Sequence, residues 1–353
     1  MPPLRLAVDA RVIAEDTRGI GRYARAVLRR LVLRADIELT LLADGFFPQA
    51  RRAAYTRALG GGSFAVTSRV PKHAEVIWHP ANGTFFSSFS SRLPSVATIH
   101  DAVPFRYPDP DAKRRDRAQQ PFLRSAQTAT RVIAVSEFGR SEVHAMLGVP
   151  LERIEVIAHG VEPSFSPGEA GPLPPSLTGA RFLLFVGDPI GEPRKNFPLL
   201  YEAYRRVWPG LDGPVLAVAG PRAPELPGVL HLGNLGDDLT AGGSDVLLAC
   251  YRGAVALTLA SCHETFGMPM LEAMACGTPV VASAAGSLPE VGGDAALYAP
   301  PDDCAAWTSA LRRIVLDGEL RDRLRAAGPQ RAKEFSWDES ARRHVALFRS
   351  VVR

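Results

Sequence analysis

The chain has 353 residues, enough for two domains at about 150 residues each. Hydrophobic residues make up 46% and charged residues 22%, values typical of folded soluble proteins, which excludes disorder, collagen-like repeats and disulfide-rich miniproteins. No apolar run reaches the ~18 residues of a membrane span and no secretory leader is recognisable, so we expect a cytoplasmic protein. The four cysteines lack C-x-x-C spacing, which argues against a zinc cluster or a redox pair.

Positive charge is concentrated in the N-terminal half. Through Glu162 there are 23 Lys and Arg against 16 Asp and Glu, a balance of +7, whereas the remainder has 18 against 21, or −3. A basic half could face an anionic acceptor or bind peripherally at the inner face of the cell membrane, although solvated arginines would explain the same count. The candidate patch contains Lys113, Arg114, Arg115, Arg117 and Arg124. With Phe122 as its one aromatic residue, it does not predict a nucleic-acid surface.

Short apolar runs alternate with amphipathic stretches along the N-terminal half, a pattern typical of βαβ units and a parallel sheet. In chain order we predict strand 4–12, helix 21–34, strands 37–43, 76–78 and 95–100, helix 112–126, strand 131–135, helix 137–147 and strand 154–157. These elements predict a doubly wound α/β domain, which we place at residues 1–165.

A segment rich in proline and glycine, residues 162–179, predicts the end of that domain because neither helices nor strands continue through it. The alternation then resumes with strand 182–186, helix 196–208, strands 215–219 and 255–259, a helix after residue 267, strand 279–282 and closing helices from about residue 302. A second doubly wound domain is therefore expected over residues 179–336. Two facing sheets of this kind would form a ligand-binding cleft between the domains.

The densest chemical signal is SCHETFGMPMLEAMACGTPVVA, which runs from Ser261 to Ala282. It follows an apolar strand and predicts a loop containing Glu264, then a helix that ends near Gly277. Backbone N–H groups at the positive end of that helix suit a diphosphate, and Glu272 is placed to accept hydrogen bonds from vicinal ribose hydroxyls. Two solvated carboxylates at the start of a helix are the alternative.

Glu264 and Glu272, separated by seven residues, resemble the E-x7-E motif of the retaining glycosyltransferases of family 4. The resemblance covers essentially the whole chain: it extends to GIGRYAR (19–25), HD (100–101), VSEFGRSEV (135–143), HGVE (159–162), EPRKN (192–196) and SLPEVGGDAALYAPPDD (287–303). It implies a GT-B fold, in which two Rossmann-like domains face each other across a cleft and a C-terminal helix, here residues 337–353, crosses back to the first domain.

The resemblance also implies roles for individual residues in the second domain. Glu264 would contact the donor sugar, and Glu272 would hold the nucleotide ribose. Arg194 and Lys195 would clamp the diphosphate, in agreement with the negative charge that develops on it as the glycosidic bond breaks. The sugar and diphosphate would be bordered by Phe266, Gly267, Met268 and Leu271. Many relatives place an arginine directly after the strand glycine, whereas this chain has Gly187-Asp188 and a longer loop.

In the first domain, the resemblance places Gly19 and Gly21 near the donor phosphates, across the cleft from the other donor residues. It also places a histidine, here His100, beside the reacting sugar, and the neighbouring Asp101 is expected to orient the His100 ring. A histidine simply hydrogen-bonded in place at the end of a strand is the alternative.

Two other classes of function remain open. Gly19-Ile20-Gly21 with Ala24 approximates the G-x-G-x-x-A fingerprint, and Asp44 lies near the end of the next strand, so an NAD-dependent oxidoreductase competes. Against it, the residues from Ala14 to Arg18 intervene before Gly19, whereas a dinucleotide-binding turn follows its strand directly. An inactive subunit of a glycan-assembly complex is the third possibility, disfavoured because both glutamates and both cations are retained.

We therefore predict a retaining hexosyltransferase that transfers a sugar from a nucleoside diphosphate sugar to a hydroxyl acceptor in polysaccharide or glycolipid assembly. The neighbourhoods of EPRKN and SLPEVGGDAALY resemble mannosyltransferases most, so GDP-mannose is the first candidate donor and UDP-glucose or another UDP-sugar the second. The acceptor would be a glycan, a lipid-linked molecule or a small alcohol. No metal and no further cofactor are expected.

Overall fold

The computed structural model describes residues 2–11, 13, 16, 19–45, 47–82, 93–235 and 245–352. The chain divides into two compact units, the first comprising Met1–Gly160 and Trp337–Arg353 and the second Val161–Ser336. Within the described ranges, every helix is too short or too polar to cross a bilayer.

The first unit is built on a parallel sheet of seven strands. The strands are β1 (Leu4–Asp9), β2 (Ile37–Leu42), β3 (Ala65–Thr67), β4 (Val76–His79), β5 (Ser95–Ile99), β6 (Arg131–Ala134) and β7 (Ile154–Val156). The helices are α1 (Gly19–Leu31), α2 (Arg52–Leu59), α3 (Val103–Arg106), α4 (Ala112–Thr128), α5 (Glu137–Leu147) and α12 (Trp337–Val351). The strand order is β3-β2-β1-β4-β5-β6-β7, so the chain extends from β1 in both directions, the arrangement of a doubly wound sheet with helices on both faces.

The second unit repeats this plan with six parallel strands. They are β8 (Phe182–Val186), β9 (Val215–Ala219), β10 (Val229–Gly233), β11 (Ala256–Leu259), β12 (Val280–Ser283) and β13 (Leu297–Ala299), in the order β10-β9-β8-β11-β12-β13. The helices are α6 (Phe197–Val207), α7 (Asp245–Gly253), α8 (Met268–Ala275), α9 (Leu288–Gly292), α10 (Cys304–Leu316) and α11 (Gly318–Ala332). The predicted fold class, two doubly wound α/β sheets, is confirmed.

Burial explains which strands the sequence revealed. The side chains of β5 and β11 are buried along their whole length, because a parallel sheet covered on both faces excludes water from both sides. Three short strands were not predicted. The strand β10 is half-buried or exposed at every residue and forms an edge of its sheet, and β3 and β13 are edge strands of three residues. Such edges bury too few apolar residues to stand out in the sequence.

The segment expected between the domains belongs to the second unit, which begins at Val161. Phe165 and Leu177 are buried, and the Phe165 ring meets the ring of Tyr251 in α7 edge to face. The Arg252 guanidinium donates to the Ser166 carbonyl at 2.9 Å. The prolines prevent regular secondary structure, but apolar side chains still attach this stretch to the second unit.

The C-terminal helix α12 belongs to the first unit through a buried chain of hydrogen bonds. Tyr23 Oη lies 2.9 Å from Thr98 Oγ1 and 2.6 Å from His344 Nε2, and Trp78 Nε1 donates to Thr98 at 3.0 Å. His344 Nδ1 is 2.7 Å from the Ser340 carbonyl, which only accepts, so Nδ1 carries the proton and Nε2 accepts from Tyr23. Burial lowers the pKa of His344 to about 4, which keeps the ring neutral. The chain joins β4, β5, α1 and α12.

We expect Tyr23→Phe to lower the free energy of unfolding of the first unit by about 1–3 kcal/mol, because it leaves the buried His344 Nε2 without its donor. Urea unfolding at pH 7 measures the loss. The matched control is Tyr201→Phe, which removes a hydroxyl that donates to Pro227 in an exposed hydrogen bond and should cost less. Equal losses in the two variants would contradict a special role for the buried chain.

Candidate functional site

The candidate site lies where the strand order of the second sheet reverses. The strands β8 and β11 pair in parallel there, and the loops after such neighbouring strands leave a crevice at the carboxyl edge of the sheet. The loop after β8 contains Arg194 and Lys195, and the loop after β11 contains Glu264. The topology therefore brings Lys195 to Glu264 across 69 residues of sequence.

Glu264 is an ionised carboxylate held between two cations. Its Oε1 accepts from Lys195 Nζ at 2.6 Å and from Ser261 Oγ at 2.9 Å, and its Oε2 lies 3.3 Å from Arg194 Nη1. Burial favours the protonated form, but the charges of Lys195 and Arg194 and the two hydrogen bonds outweigh it and lower the pKa of Glu264 to about 2. The carboxylate is therefore charged at any physiological pH.

The backbone of Glu264 is fixed independently of its side chain. The Ser287 N–H and Oγ both donate to the Glu264 carbonyl, at 2.9 and 3.1 Å. The preceding Gly286 has φ +60°, and a Cβ there would lie 2.2 Å from the same carbonyl oxygen. Only glycine allows this close approach, so the loop before α9 holds the Glu264 loop in one position.

A short turn presents the two cations. Residues Pro193–Lys195 form a 3₁₀ turn, and Asn196, with φ 54°, leads from it into α6. Arg194 Nη2 donates to Glu192 Oε2 at 2.6 Å and Nη1 to the His263 carbonyl at 3.2 Å. The Arg194 carbonyl accepts from the Cys262 N–H at 2.8 Å. The turn is thus bonded through both backbone and side chain to the loop after β11.

The predicted diphosphate-binding stretch begins α8. Gly267, with φ +87°, is the residue before the helix, and a Cβ there would lie 2.6 Å from Leu288 Cδ2. The side chains of Phe266 and Leu271 are buried, and the Phe266 ring meets Phe335 edge to face, whereas Met268 is half-buried. The side chains of Phe266 and Leu271 belong to the core, so either residue would contact a ligand through its backbone.

Glu272 is buried within α8, and its Oε2 accepts from the Tyr251 hydroxyl at 2.8 Å. Tyr251 lies in α7, so a phenol from a neighbouring helix orients the second glutamate of the motif. Its predicted contact with a ribose stays a prediction. The alternative of two solvated carboxylates is wrong, because both Glu264 and Glu272 are buried and hydrogen-bonded.

Gly19 and Gly21 lie in the first turn of α1 rather than before it. The helix therefore begins at Gly19 and not at the predicted residue 21. A Cβ at Gly21 would lie 1.8 Å from the Asp16 carbonyl oxygen, so glycine is required where the chain passes the helix. The buried Arg25 donates to that carbonyl at 2.7 Å and to the Ile13 carbonyl at 3.0 Å. The structure thus gives Gly21 a steric role, and contact of Gly19 and Gly21 with donor phosphates stays a prediction.

His100 is held by a carbonyl rather than by its acidic neighbour. Its Nε2 donates to the Pro80 carbonyl at 2.9 Å, and its ring meets Tyr23 edge to face at 4.7 Å between centroids. Burial lowers the pKa of His100, so the ring is neutral. The Asp101 carboxylate accepts instead from Asn82 Nδ2 at 3.2 Å and from the Val103 N–H at 3.1 Å. The expectation that Asp101 orients the ring by a hydrogen bond is therefore wrong.

Sequence reasoning missed the partners that fix the site residues. Two of these partners are close in sequence: Ser261 lies three residues before Glu264, and Glu192 lies two residues before Arg194. The others approach only through the folded chain: Tyr251 at Glu272, Gly286 and Ser287 at the Glu264 backbone, and Pro80 at His100. In the described parts of the chain, no three His, Cys, Asp or Glu side chains are grouped as a metal site would require.

Two family models match the chain, one in each unit. The model for Glycosyltransferase Family 4 matches residues 17–165, and the model for Glycosyl transferases group 1 matches residues 180–317. The chain belongs to glycosyltransferase family 4. The family prediction made from the E-x7-E spacing is confirmed.

Curated relatives of the chain are also glycosyltransferases, and solved structures share its fold. The chain is 28% identical to O-antigen chain mannosyltransferase B of Escherichia coli, over 94% of this chain and 96% of that one. It is 33% identical to a D-inositol 3-phosphate glycosyltransferase of Actinosynnema mirum, over 62% of this chain and 57% of that one. A glycosyltransferase from Rickettsia africae has a TM-score of 0.67 at 15% identity, covering 100% and 99% of the two chains. Anabaena HepE in complex with UDP and glucose has a TM-score of 0.69 at 16% identity, covering 98% and 100%.

We expect Glu264→Ala to destabilise the second unit by about 3–5 kcal/mol, because it leaves the buried Lys195 ammonium without its counter-charge. The double variant Glu264→Ala/Lys195→Met removes both charges and should recover most of that loss. Urea unfolding of the two variants measures the difference. If the double variant is no more stable than Glu264→Ala, the stranded charge is not the cause.

Proposed function

We propose that this family 4 glycosyltransferase is a retaining, metal-independent hexosyltransferase that transfers mannose from GDP-mannose to a hydroxyl acceptor. The observation that carries the proposal is the Glu264, Lys195 and Arg194 cluster, an ionised carboxylate between two cations at the switch point of the second sheet. The similarity to O-antigen chain mannosyltransferase B over nearly the full length of both chains supports mannose and an acceptor in polysaccharide or glycolipid assembly. A UDP-sugar is the second candidate, supported by the fold shared with HepE, which was crystallised with UDP-glucose.

In this proposal the two cations meet the charge of the leaving group. As the bond from the anomeric carbon to the diphosphate oxygen breaks, Arg194 and Lys195 stabilise the negative charge that develops on that oxygen. The acceptor oxygen bonds to the same carbon on the same face, and its proton passes to the departing phosphate oxygen. With a pKa of about 2, Glu264 is no proton donor at neutral pH, so its role is to accept hydrogen bonds from sugar hydroxyls.

Donor identity is tested by a thermal-shift panel of GDP, UDP, ADP and NAD. A ligand that binds only the folded state stabilises it by mass action. Because GDP is the product of the proposed donor, we expect it to raise the melting temperature more than the other three nucleotides. Glu272→Ala should weaken GDP binding on the order of ten- to a hundredfold, since hydrogen bonds to a charged group are worth about 1.5–3 kcal/mol. Tyr251→Phe is the matched control, because it keeps the carboxylate and removes only the hydroxyl that donates to it.

Each other outcome of the panel contradicts a part of the proposal. Stabilisation by UDP instead of GDP would indicate that the donor is a UDP-sugar and not GDP-mannose. Stabilisation by NAD alone would favour an oxidoreductase. A chain that binds none of the four would be an inactive subunit. Unchanged GDP affinity in folded Glu272→Ala would remove Glu272 from the ribose site.

Stereochemistry and metal use are tested in one reaction. We expect turnover to continue in excess EDTA, because Arg194, Lys195 and the N-terminus of α8 meet the diphosphate charge. The sequence Asp109-Pro110-Asp111 has the Asp-x-Asp spacing of a metal-binding motif, but both carboxylates already accept backbone hydrogen bonds. Asp111 accepts from the Arg114 N–H at the start of α4, and Asp109 accepts from the Asp111 N–H. Proton NMR of the first product should show the anomeric configuration of the donor. An inverted product, or activity restored by Mg²⁺ after chelation, would contradict the mechanism.

The proposal extends to peripheral contact with the inner face of a membrane that contains the acceptor. On α4, Lys113, Arg117 and Arg124 are exposed and share one helix face, at positions i, i+4 and i+11. Basic residues near an anionic surface contribute about 1 kcal/mol each, and the attraction weakens as salt rises. We expect sedimentation with anionic but not neutral liposomes at low salt. Equal partitioning onto both would indicate an acceptor in solution.

A further inference from the structure

Arg194 is held by two carboxylates in different environments. Glu264 has a side chain that is 10% exposed, and its Oε2 lies 3.3 Å from Arg194 Nη1. Glu192 has a side chain that is 41% exposed, and its Oε2 lies 2.6 Å from Arg194 Nη2. The shorter contact is therefore made by the carboxylate that water can reach.

The loop that presents Glu192 is held by its own contacts. The Asp188 carboxylate accepts from the Ile190 N–H at 3.1 Å, from the Gly191 N–H at 2.7 Å and from Arg222 Nη2 at 2.5 Å. The Glu192 N–H donates to the Asp188 carbonyl at 3.1 Å. A Cβ at Gly191 would lie 1.7 Å from Arg222 Nη2, so glycine is needed for the arginine to reach Asp188. This fixed loop places Glu192 beside Arg194.

The charges of the four groups cancel. Arg194 and Lys195 are matched by Glu192 and Glu264, so a diphosphate that approaches this cluster finds both cations already paired. The Lys195–Glu264 pair is buried, and separating it would leave two charges out of water. The Glu192 carboxylate can return to water at little cost, because exposed ion pairs are only weakly stabilising.

We propose that Glu192 competes with the donor diphosphate for Arg194. Glu192 releases the guanidinium when the nucleotide sugar binds and pairs with it again as the nucleoside diphosphate leaves, which speeds product release. This inference rests on the proposed function, because it needs an anionic ligand at Arg194. Glu192 acts through Arg194 as a positioning residue and does not touch the reacting atoms.

Calorimetric titration of GDP and UDP into Glu192→Gln tests the competition. We expect the variant to bind its nucleotide about three- to tenfold more tightly at low salt, with the gain shrinking as salt rises. Under saturating donor, kcat should fall because the product leaves more slowly. The matched control is Glu202→Gln, which removes another exposed glutamate of the second unit that pairs with an arginine, Arg206, and should leave affinity unchanged within about twofold.

Arg194→Gln and the double variant separate this inference from the proposed function. Nucleotide affinity that survives Arg194→Gln would overturn the diphosphate clamp itself. Weaker binding in Arg194→Gln, together with no gain from Glu192→Gln, would overturn the competition alone. Weaker binding in Glu192→Gln and in Glu192→Ala would show that Glu192 only holds Arg194 in place. The competition requires the gain in Glu192→Gln to disappear in the double variant.

Discussion

The buried pair between Glu264 and Lys195 is the constraint that the rest of the site depends on. Both side chains have lost most of their contact with water, at 10% and 9% exposure, and such a pair is stable only when the geometry is close and the remaining polar atoms are bonded. The Ser261 hydroxyl meets part of this requirement at the carboxylate. The two hydrogen bonds from Ser287 and the close approach of Gly286 fix the Glu264 backbone, and this limits where the carboxylate can point.

The sheet makes this pair possible. The strands β8 and β11 are neighbours although the chain between them builds β9, β10 and two helices, so their loops meet at the carboxyl edge. Each loop then turns into a helix, α6 or α8. The site is therefore assembled from two strand-to-helix connections, and it lies within the second unit.

The features that could be predicted from the sequence are those that a local residue pattern determines. Apolar runs predicted the central strands, and the motif that contains Glu264 and Glu272 resembles the family whose models match the chain. Edge strands such as β10 were missed because they bury little apolar surface. Tyr251 and Pro80 were missed because they reach Glu272 and His100 only in the folded chain, from 21 and 20 residues away.

The two carboxylates that contact Arg194 differ in burial, because the Glu264 side chain is 10% exposed and the Glu192 side chain 41%. A site for a polyanion needs cations, and buried cations left unpaired when the site is empty would destabilise the fold. Internal carboxylates remove that penalty, but each of them also repels the ligand. Glu264 is enclosed with Lys195, whereas Glu192 lies at the surface. In the proposed mechanism, Glu264 therefore stays paired and accepts hydrogen bonds from sugar hydroxyls, and Glu192 gives up Arg194 to a phosphate. If the proposal holds, the carboxylate of Glu264 is a permanent partner of the cations and that of Glu192 a replaceable one, which would keep the empty site stable and still allow the diphosphate to bind.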